Sequence, residues 1–163
     1  MGWKDLLEEK SSLATALDLV GDRWTLMLLS GCYSGVCKFN QIERFLGINR
    51  NLLSARLDKL VEAGLLEKRL YNEFPPRYEY HITDISRELR PVIVGLAAWS
   101  ARHFTKEKAP FTNVHKDCGG VVDILMKCHD CTDTIDSSDI YTRLNPGAGE
   151  EAAKLFKRMY ANM

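Results

Sequence analysis

The sequence lacks an excess of basic residues. Its 163 residues include 22 Lys and Arg against 22 Asp and Glu, so the formal net charge at pH 7 is zero. Domains that bind nucleic acid often carry a basic excess, and the overall composition shows none. Any affinity for a polyanion must therefore come from the placement of a few cations.

Long apolar runs are also missing. The first residues, MGWKDLLEEKSS, contain no apolar core of the kind that a secretory signal needs, and no run approaches the length of a membrane span. We therefore expect a cytoplasmic protein without a membrane partner. The five cysteines are an odd number, which favours reduced thiols, metal ligation or redox chemistry over a disulfide framework.

Motifs of catalysis are absent as well. The sequence has no Gly-rich phosphate loop, no nucleophile elbow and no constellation of paired carboxylates. Its four histidines have no acid–base partner that a motif would identify. We therefore do not expect an enzyme.

The most informative pattern in the chain begins with a predicted pair of helices. Apolar residues recur at helical spacing from Phe39 to Leu46, and the pattern breaks at Gly47. Asn49 is a suitable N-cap for a second helix, about residues 49–63. This order of elements predicts a helix-turn-helix.

The second of these helices has two different faces. Its apolar stripe is predicted to face the core and consists of Leu53, Leu57, Leu60 and Val61. Its opposite face is small and polar and consists of Asn51, Ser54, Ala55 and Asp58. A helix that enters the major groove of DNA needs short or hydrogen-bonding side chains near its N-terminus. The pattern therefore predicts a recognition helix.

Two strand-like runs follow. Residues 65–71 and 77–83 are rich in β-branched, aromatic and alternating residues, and residues 72–76 join them as the tip of a wing. The wing thus covers about residues 65–83. We expect a mainly α fold with a small β-hairpin wing, which is a winged helix-turn-helix with a small C-terminal appendage.

The rest of the chain suggests three regions. Residues 1–105 are predicted to form the DNA-binding and dimerisation domain, residues 106–113 a linker, and residues 114–163 a small Cys-rich extension. Helices are predicted over residues 3–19, where Ser11-Ser12 could break or cap the segment, and over residues 150–160. A long helix from Thr83 to Phe104 is predicted to be broken or bent near Pro91. It is apolar on several sides, which favours packing against a second copy of the chain.

Five segments together resemble the HxlR-type winged-helix transcriptional regulators of the MarR-like superfamily. They are ALDLVGDRWTL (16–26), FNQI (39–42), NLLSARL (51–57), EAGL (62–65) and PPRYEY (75–80). The resemblance covers about residues 11–105. It implies a repressor or activator that forms a homodimer through its terminal helices and presents two recognition helices and two wings to a pseudo-palindromic operator. It also implies regulation by redox, electrophile or small-molecule effectors.

The chain departs from this family at one position. Many relatives carry a cysteine just before the Leu-Asp-Leu-Val segment, and in some it is the sensing thiol. Ser11 stands there in this sequence. We therefore do not expect that particular redox switch.

Seven residues are candidates for contact with double-stranded DNA. The start of the recognition helix should read base edges and hold nearby phosphates, whereas later cations on the same helix should hold phosphates, which fix register without conveying sequence. A cation on the wing could enter the minor groove or clamp its backbone. The candidates are Asn49, Arg50, Asn51 and Ser54 at the helix start, Arg56 and Lys59 further along, and Arg77 on the wing.

The C-terminal cysteines suggest a structural zinc site. His115-x2-Cys118 and Cys128-x2-Cys131 offer four ligands, and a Cys-x2-Cys spacing lets two thiolates bind one tetrahedral ion. His129 competes for the role of histidine ligand. The alternatives are a small two-stranded appendage of reduced cysteines and a disulfide formed on oxidation.

Two other functions compete with DNA reading. The near-zero charge would suit a winged-helix module that binds protein, and the cysteines would suit a sensor that responds to thiol oxidation or zinc without reading DNA directly. Binding to DNA that weakens with salt would separate the regulator from both, because phosphate-driven affinity falls steeply with ionic strength.

Overall fold

The computed structural model describes residues 3–4, 11–105 and 109–159. They divide into two compact units, one of Gly21–Ile124 and one of the described residues before 21 and after 124. Parts of the predicted helix 3–19 and of the predicted linker 106–113 lie outside the described residues, as does position 160 of the predicted last helix. The three predicted regions stay a prediction.

The chain is mostly helical with one antiparallel hairpin, which confirms the predicted fold class. Among the described helices, none combines the length and the apolar character needed to span a bilayer. In chain order the described elements are α1 (Ser12–Val20), α2 (Thr25–Tyr33), α3 (Phe39–Leu46), α4 (Arg50–Glu62), β1 (Leu66–Asn72), β2 (Arg77–Ile82), α5 (Asp84–Ser100) and α6 (Glu150–Met159). A π-helical turn at Ala101–Thr105 extends α5, and a short 3-10 turn spans Ser137–Asp139.

The core of the first unit is built from the apolar faces of its helices. Helix α2 packs against α3, β2 and α5, and α4 packs against β1. Burial of each large aliphatic side chain stabilises the fold by about 1.5–3 kcal/mol. The most deeply buried of them are Leu28, Leu29, Ile42, Leu53, Leu57, Leu60 and Leu66. The predicted stripe of α4 is confirmed at its three leucines, whereas Val61 is only half-buried.

The turn between α3 and α4 follows the predicted signals. Gly47 adopts φ 62°, the left-handed conformation that closes a helix, and its N–H donates to the carbonyl of Glu43 at 2.9 Å. Asn49 caps α4, since its Oδ1 accepts from the N–H of Asn51 at 2.9 Å. Ile48 is buried between them. The turn is therefore fixed at both ends and in the middle.

The hairpin is anchored at its base and exposed at its tip. Its strands pair in antiparallel register from Leu66 opposite Ile82 to Leu70 opposite Tyr78. Leu66 and Tyr80 are buried, whereas the outer residues are exposed, so the strands project as a wing.

Helix α5 differs from the prediction at Pro91. The Oγ1 of Thr83 accepts from the N–H of Ser86 at 3.3 Å and caps the helix as expected. The helix then runs unbroken through Pro91 to Ser100, so of the two predicted alternatives the break is wrong and the bend stays a prediction. A proline removes one backbone hydrogen bond. Here Ser86 and Val94, both buried, hold the helix on either side of that position.

The second unit contains α1 and α6. The Oγ of Ser11 accepts from the N–H of Ala14 at 3.4 Å, so Ser11 caps α1 as one of the two predicted readings had it. The half-buried residues of helix α6 are Ala152, Ala153, Leu155 and Phe156.

Candidate nucleic-acid interface

Helix α4, the predicted recognition helix, is tied to the start of α2 by a half-buried network around Asp22. The carboxylate of Asp22 accepts from the N–H groups of Trp24 at 3.0 Å and Thr25 at 3.2 Å and from the hydroxyl of Thr25 at 2.6 Å. The Nη1 atom of Arg56 lies 3.5 Å from the same carboxylate. Burial alone would raise the pKa of Asp22, but these hydrogen bonds and the charge of Arg56 outweigh it, and the pKa is lowered.

This network changes the interpretation of Arg56. Its side chain is 29% exposed, and its Nε is buried without a hydrogen-bond partner among the described residues. Arg56 follows Leu53 by three residues and precedes Leu60 by four, a spacing that places it beside the buried stripe. Its surroundings suit an anchor of α4 better than the predicted phosphate contact.

The outer face of α4 carries the predicted base readers. Asn51 and Ser54 are both exposed. The side-chain amide of Asn51 has no hydrogen-bond partner in the described part of the chain, so it can bond to DNA without breaking another contact. The hydroxyl of Ser54 lies 3.4 Å from Oδ2 of Asp58, a weak contact.

Asn49 and Arg50 are already engaged. The Oδ1 of Asn49 serves the helix cap, which leaves its amide nitrogen for other contacts. The Nη1 of Arg50 lies 2.9 Å from Oε2 of Glu43, and its guanidinium lies 5.0 Å from the centre of the Phe39 ring. Arg50 is therefore held over α3, with its side chain still 65% exposed.

A cleft of about 370 Å³ separates the start of α4 from the hairpin. Two predicted DNA contacts, Arg50 and Arg77, both line it. Arg77 is exposed and forms no ion pair with any carboxylate of the described residues. The full lining is Phe39, Asn40, Arg50, Tyr71, Pro75, Pro76, Arg77, Tyr78 and Tyr80. The two cations and the aromatic rings suit a sugar-phosphate backbone.

Other cations near the cleft are paired. Lys38 lies 3.5 Å from Glu79 and 4.7 Å from the centre of the Tyr71 ring. Lys68 lies 3.9 Å from Asp58 and 4.5 Å from the centre of the Tyr78 ring. The sequence pattern missed Lys38, because the pairing depends on the register of the hairpin.

Two further cations are Lys59, which was predicted to hold a phosphate, and Arg69 on the hairpin, which was not. Lys59 is half-buried in the last turn of α4. Arg69 lies 2.6 Å from Glu67, and the hydrogen bond from this guanidinium lowers the pKa of the Glu67 carboxyl. Neither residue lines the cleft.

The predicted zinc ligands occur as two close pairs. The Nδ1 of His115 lies 3.2 Å from the Sγ of Cys118, and the thiols of Cys128 and Cys131 share a hydrogen bond. Across the described residues, no group of three or more His, Cys, Asp or Glu side chains is arranged to hold a metal ion. The four-ligand site therefore stays a prediction.

Two cysteines lie in or just after α2, Cys32, which is buried, and Cys37, which is half-buried. Cys32 is buried, and its burial, together with the nearby Cys37, raises the pKa of its thiol to about 12. A thiol with so high a pKa is a poor nucleophile at neutral pH. Cys32 therefore lies in the core as a small, buried residue.

The family model for HxlR-like helix-turn-helix proteins matches residues 19–108. The chain belongs to the HxlR-like helix-turn-helix family. An HTH-type transcriptional regulator of Mycobacterium tuberculosis, Rv3095, is 37% identical over 140 residues, which cover 85% of this chain and 89% of that protein. This aligned length includes part of the C-terminal extension, since it exceeds the winged-helix region of the HxlR match.

Solved structures show the same fold. PA1374 of Pseudomonas aeruginosa, described as a candidate transcription factor, is 30% identical with a TM-score of 0.64, covering 86% of this chain and 97% of its own. PA1607, described in the same way, is 27% identical with a TM-score of 0.72, covering 82% of this chain and 94% of its own. The HxlR-like chain is a transcriptional regulator with a helix-turn-helix domain.

Proposed function

We propose that the chain is a homodimeric, sequence-specific DNA-binding regulator that recognises a pseudo-palindromic operator through the helix Arg50–Glu62 and the wing. The observation that carries this proposal is the cleft between the two elements. It lies beside an exposed, unengaged Asn51 and contains Arg77, a cation without an ion pair in the described residues. Both side chains can contact DNA without first giving up a protein partner.

Each element has its own task in this proposal. Asn51 and Ser54 contact base edges in the major groove, where a bidentate amide contact to adenine is worth about 1–3 kcal/mol of discrimination. Arg77 contacts the backbone or the minor groove beside the wing. Arg50 exchanges Glu43 for a phosphate, and Lys59 adds a further phosphate contact. Arg56 is left out, because it anchors α4 to Asp22.

The dimer rests on an exposed apolar stripe along α5. Ile85, Val92, Leu96 and Trp99 are between 47% and 63% exposed, and their spacing of seven, four and three residues places them on one helical face. An apolar stripe of this kind suits a second copy of the same helix, because a two-fold interface brings identical surfaces together. A Leu96→Asp variant should sediment as a monomer.

A test of DNA reading is selection of bound fragments from a genomic library, followed by footprinting. We expect an enriched inverted repeat whose half-sites lie about one helical turn apart or a multiple of it. We also expect the affinity to fall as salt increases. Recovery of no common sequence, or an affinity that salt does not change, would contradict the proposal.

The family resemblance alone suggests control by a small-molecule effector. The pockets among the described residues do not identify a ligand. The same selection also tests the rival function. A winged-helix module that binds only protein would recover no DNA above background. The exposed Asn51, whose side-chain amide has no hydrogen-bond partner among the described residues, favours the DNA reader over that module.

A further inference from the structure

The hairpin ends in an apolar side chain that the rest of the chain does not cover. Phe74 lies in the turn of residues 73–76 between β1 and β2. It is 89% exposed, more than any other large hydrophobic residue among those described. A side chain that stays in water adds nothing to the hydrophobic stabilisation of the fold. Packing within the chain therefore does not account for a phenylalanine at this position.

Two tyrosines of the same hairpin have partners, whereas Phe74 has none. The ammonium nitrogen of Lys38 lies 4.7 Å from the centre of the Tyr71 ring, and that of Lys68 lies 4.5 Å from the centre of the Tyr78 ring. The ring of Phe74 makes no aromatic or cation–π contact with any described residue, and it does not line the cleft beside α4. It can therefore enter a partner molecule without giving up a contact in the chain.

The turn that carries Phe74 is stiff. The side-chain amide of Asn72 donates to the carbonyl of Pro75 at 2.7 Å and so braces the turn across its width. Pro75 and Pro76 each fix their own φ, and a residue that precedes a proline is restricted as well. A stiff segment loses little conformational entropy when it binds. The turn therefore presents an apolar side chain in a conformation that is already set.

Charge at the tip of the hairpin gives little attraction to DNA. Arg77 forms no ion pair with a carboxylate of the described residues, but Glu73 is exposed on the adjoining turn. Residues 72–77 therefore carry no net charge. Charge-driven binding to phosphates requires cations. A tip that is neutral overall and ends in a phenylalanine suits an apolar contact with bases better than a contact with phosphates alone.

We propose that Phe74 is an apolar wedge, whose ring enters the minor groove, inserts partway between two base pairs and kinks the duplex. The inference rests on the proposed function, because it needs the chain to bind DNA with its wing. Phenylalanine is among the side chains that DNA-bending proteins insert in this way, with kinks of about 20–90°. Pyrimidine–purine steps unstack most easily. The wedge therefore selects a deformable step without a hydrogen bond to any base.

The first test compares two duplexes that present the same A·T edges in the minor groove. Alternating poly(dA-dT) has a flexible TA step at every second position, whereas poly(dA)·poly(dT) is a stiff A-tract without such steps. The ratio of the affinities for the alternating duplex and the A-tract, measured at low salt, should fall severalfold in Phe74→Ala. Phe74→Leu keeps an apolar wedge and should retain the wild-type ratio. Phe111→Ala, at a position 86% exposed and outside the wing, is the matched control and should also retain it.

The second test measures the kink directly. A short alternating A·T duplex with a fluorescent dye at each end should show more energy transfer when wild-type chain saturates it, because a kink brings the ends together. Saturating Phe74→Ala should leave the duplex nearly straight. Since both complexes are saturated, the difference does not depend on affinity. Circular dichroism should show that Phe74→Ala folds, because the substitution removes no buried side chain.

The outcomes distinguish the wedge from the proposed function. An affinity ratio that Phe74→Ala leaves unchanged, a duplex that wild-type chain binds without bending, or an equal loss in Phe111→Ala overturns the wedge. The proposed function stands in each of these cases if the genomic selection recovers an inverted repeat. A selection that recovers no common sequence, together with no binding to either duplex at low salt, overturns both.

Discussion

Different interactions stabilise the winged-helix region and residues 109–149. In the first, Leu28, Leu29, Leu53 and Leu57 are completely buried. In the second, none of the described residues is buried, and the regular structure consists of two isolated bridges and one 3-10 turn. Apolar burial stabilises the winged-helix region. Residues 109–149 depend instead on backbone hydrogen bonds in two tight turns.

The sharpest test of this contrast is thiol reactivity. A rise in the pKa of Cys32 from its usual 9.0 to about 12 lowers its thiolate fraction near pH 8 by about a thousandfold. In the presence of chelator, iodoacetamide should label the exposed Cys118 rapidly and leave Cys32 unlabelled until the protein unfolds. Mass spectrometry of peptides gives the rates. Similar labelling rates at Cys32 and Cys118 in the folded protein would contradict the expected difference between the core and the exposed region.

A pair of leucine truncations tests it by stability. Leu57→Ala should lower the free energy of unfolding by about 2–5 kcal/mol, because it removes a completely buried side chain and leaves a cavity. Leu125→Ala, at a position 73% exposed, should change it by less than about 0.5 kcal/mol. Urea unfolding followed by circular dichroism measures both. A large loss at Leu125 would mean that the exposed region carries stability of its own.

A third prediction concerns the proposed DNA surface, which consists of the outer face of α4 and the wing. Asn51→Ala should reduce discrimination between operator and random DNA by about 1–3 kcal/mol, because a base contact is lost. Arg77→Ala should weaken both complexes alike and reduce the salt slope by about one unit. Fluorescence anisotropy at several salt concentrations distinguishes them. Equal losses on both sequences for Asn51→Ala would remove Asn51 as a base reader.

The smallest expected effect concerns Asp22. Asp22→Ala should destabilise the fold by about 0.5–2 kcal/mol, because it removes the acceptor at the start of α2 and the partner of Arg56. Asp22→Asn keeps an acceptor and should cost less. Since the pKa of Asp22 is lowered on folding, its contribution is present above the usual carboxyl pKa and is lost as the pH falls through the lower folded value. Acid unfolding of the two variants should therefore be less pH-dependent than that of the wild type.

The winged helix was largely predictable, because its signals are local. Gly47 and Asn49 mark the turn, and the spacing of Leu53, Leu57 and Leu60 marks the buried face of α4. The predicted strands of the wing begin and end within one residue of those observed. The break at Pro91 failed, because tertiary contacts of α5 outweigh one missing hydrogen bond.

The candidate site was predictable only in part. The sequence places Asn51 and Ser54 on the outer face, since helical spacing determines which side a residue occupies. It did not reveal that Arg56 pairs with Asp22, a contact 34 positions away that depends on how α2 and α4 pack. The similar turns at residues 114–121 and 127–134, each closed by one bridge, were equally hidden, because the left-handed position is Gly119 in one and Thr132 in the other.

The carboxylates beside the proposed DNA surface act as its resident counterions. Glu43 neutralises Arg50, and Asp58 and Glu79 neutralise Lys68 and Lys38. A phosphate that replaces one of these carboxylates exchanges one anion for another, so fewer mobile ions are displaced overall than the number of cations suggests. Random DNA should consequently be held loosely at physiological salt. For the proposed regulator, weak binding to random DNA leaves a larger share of the protein free to occupy its operator.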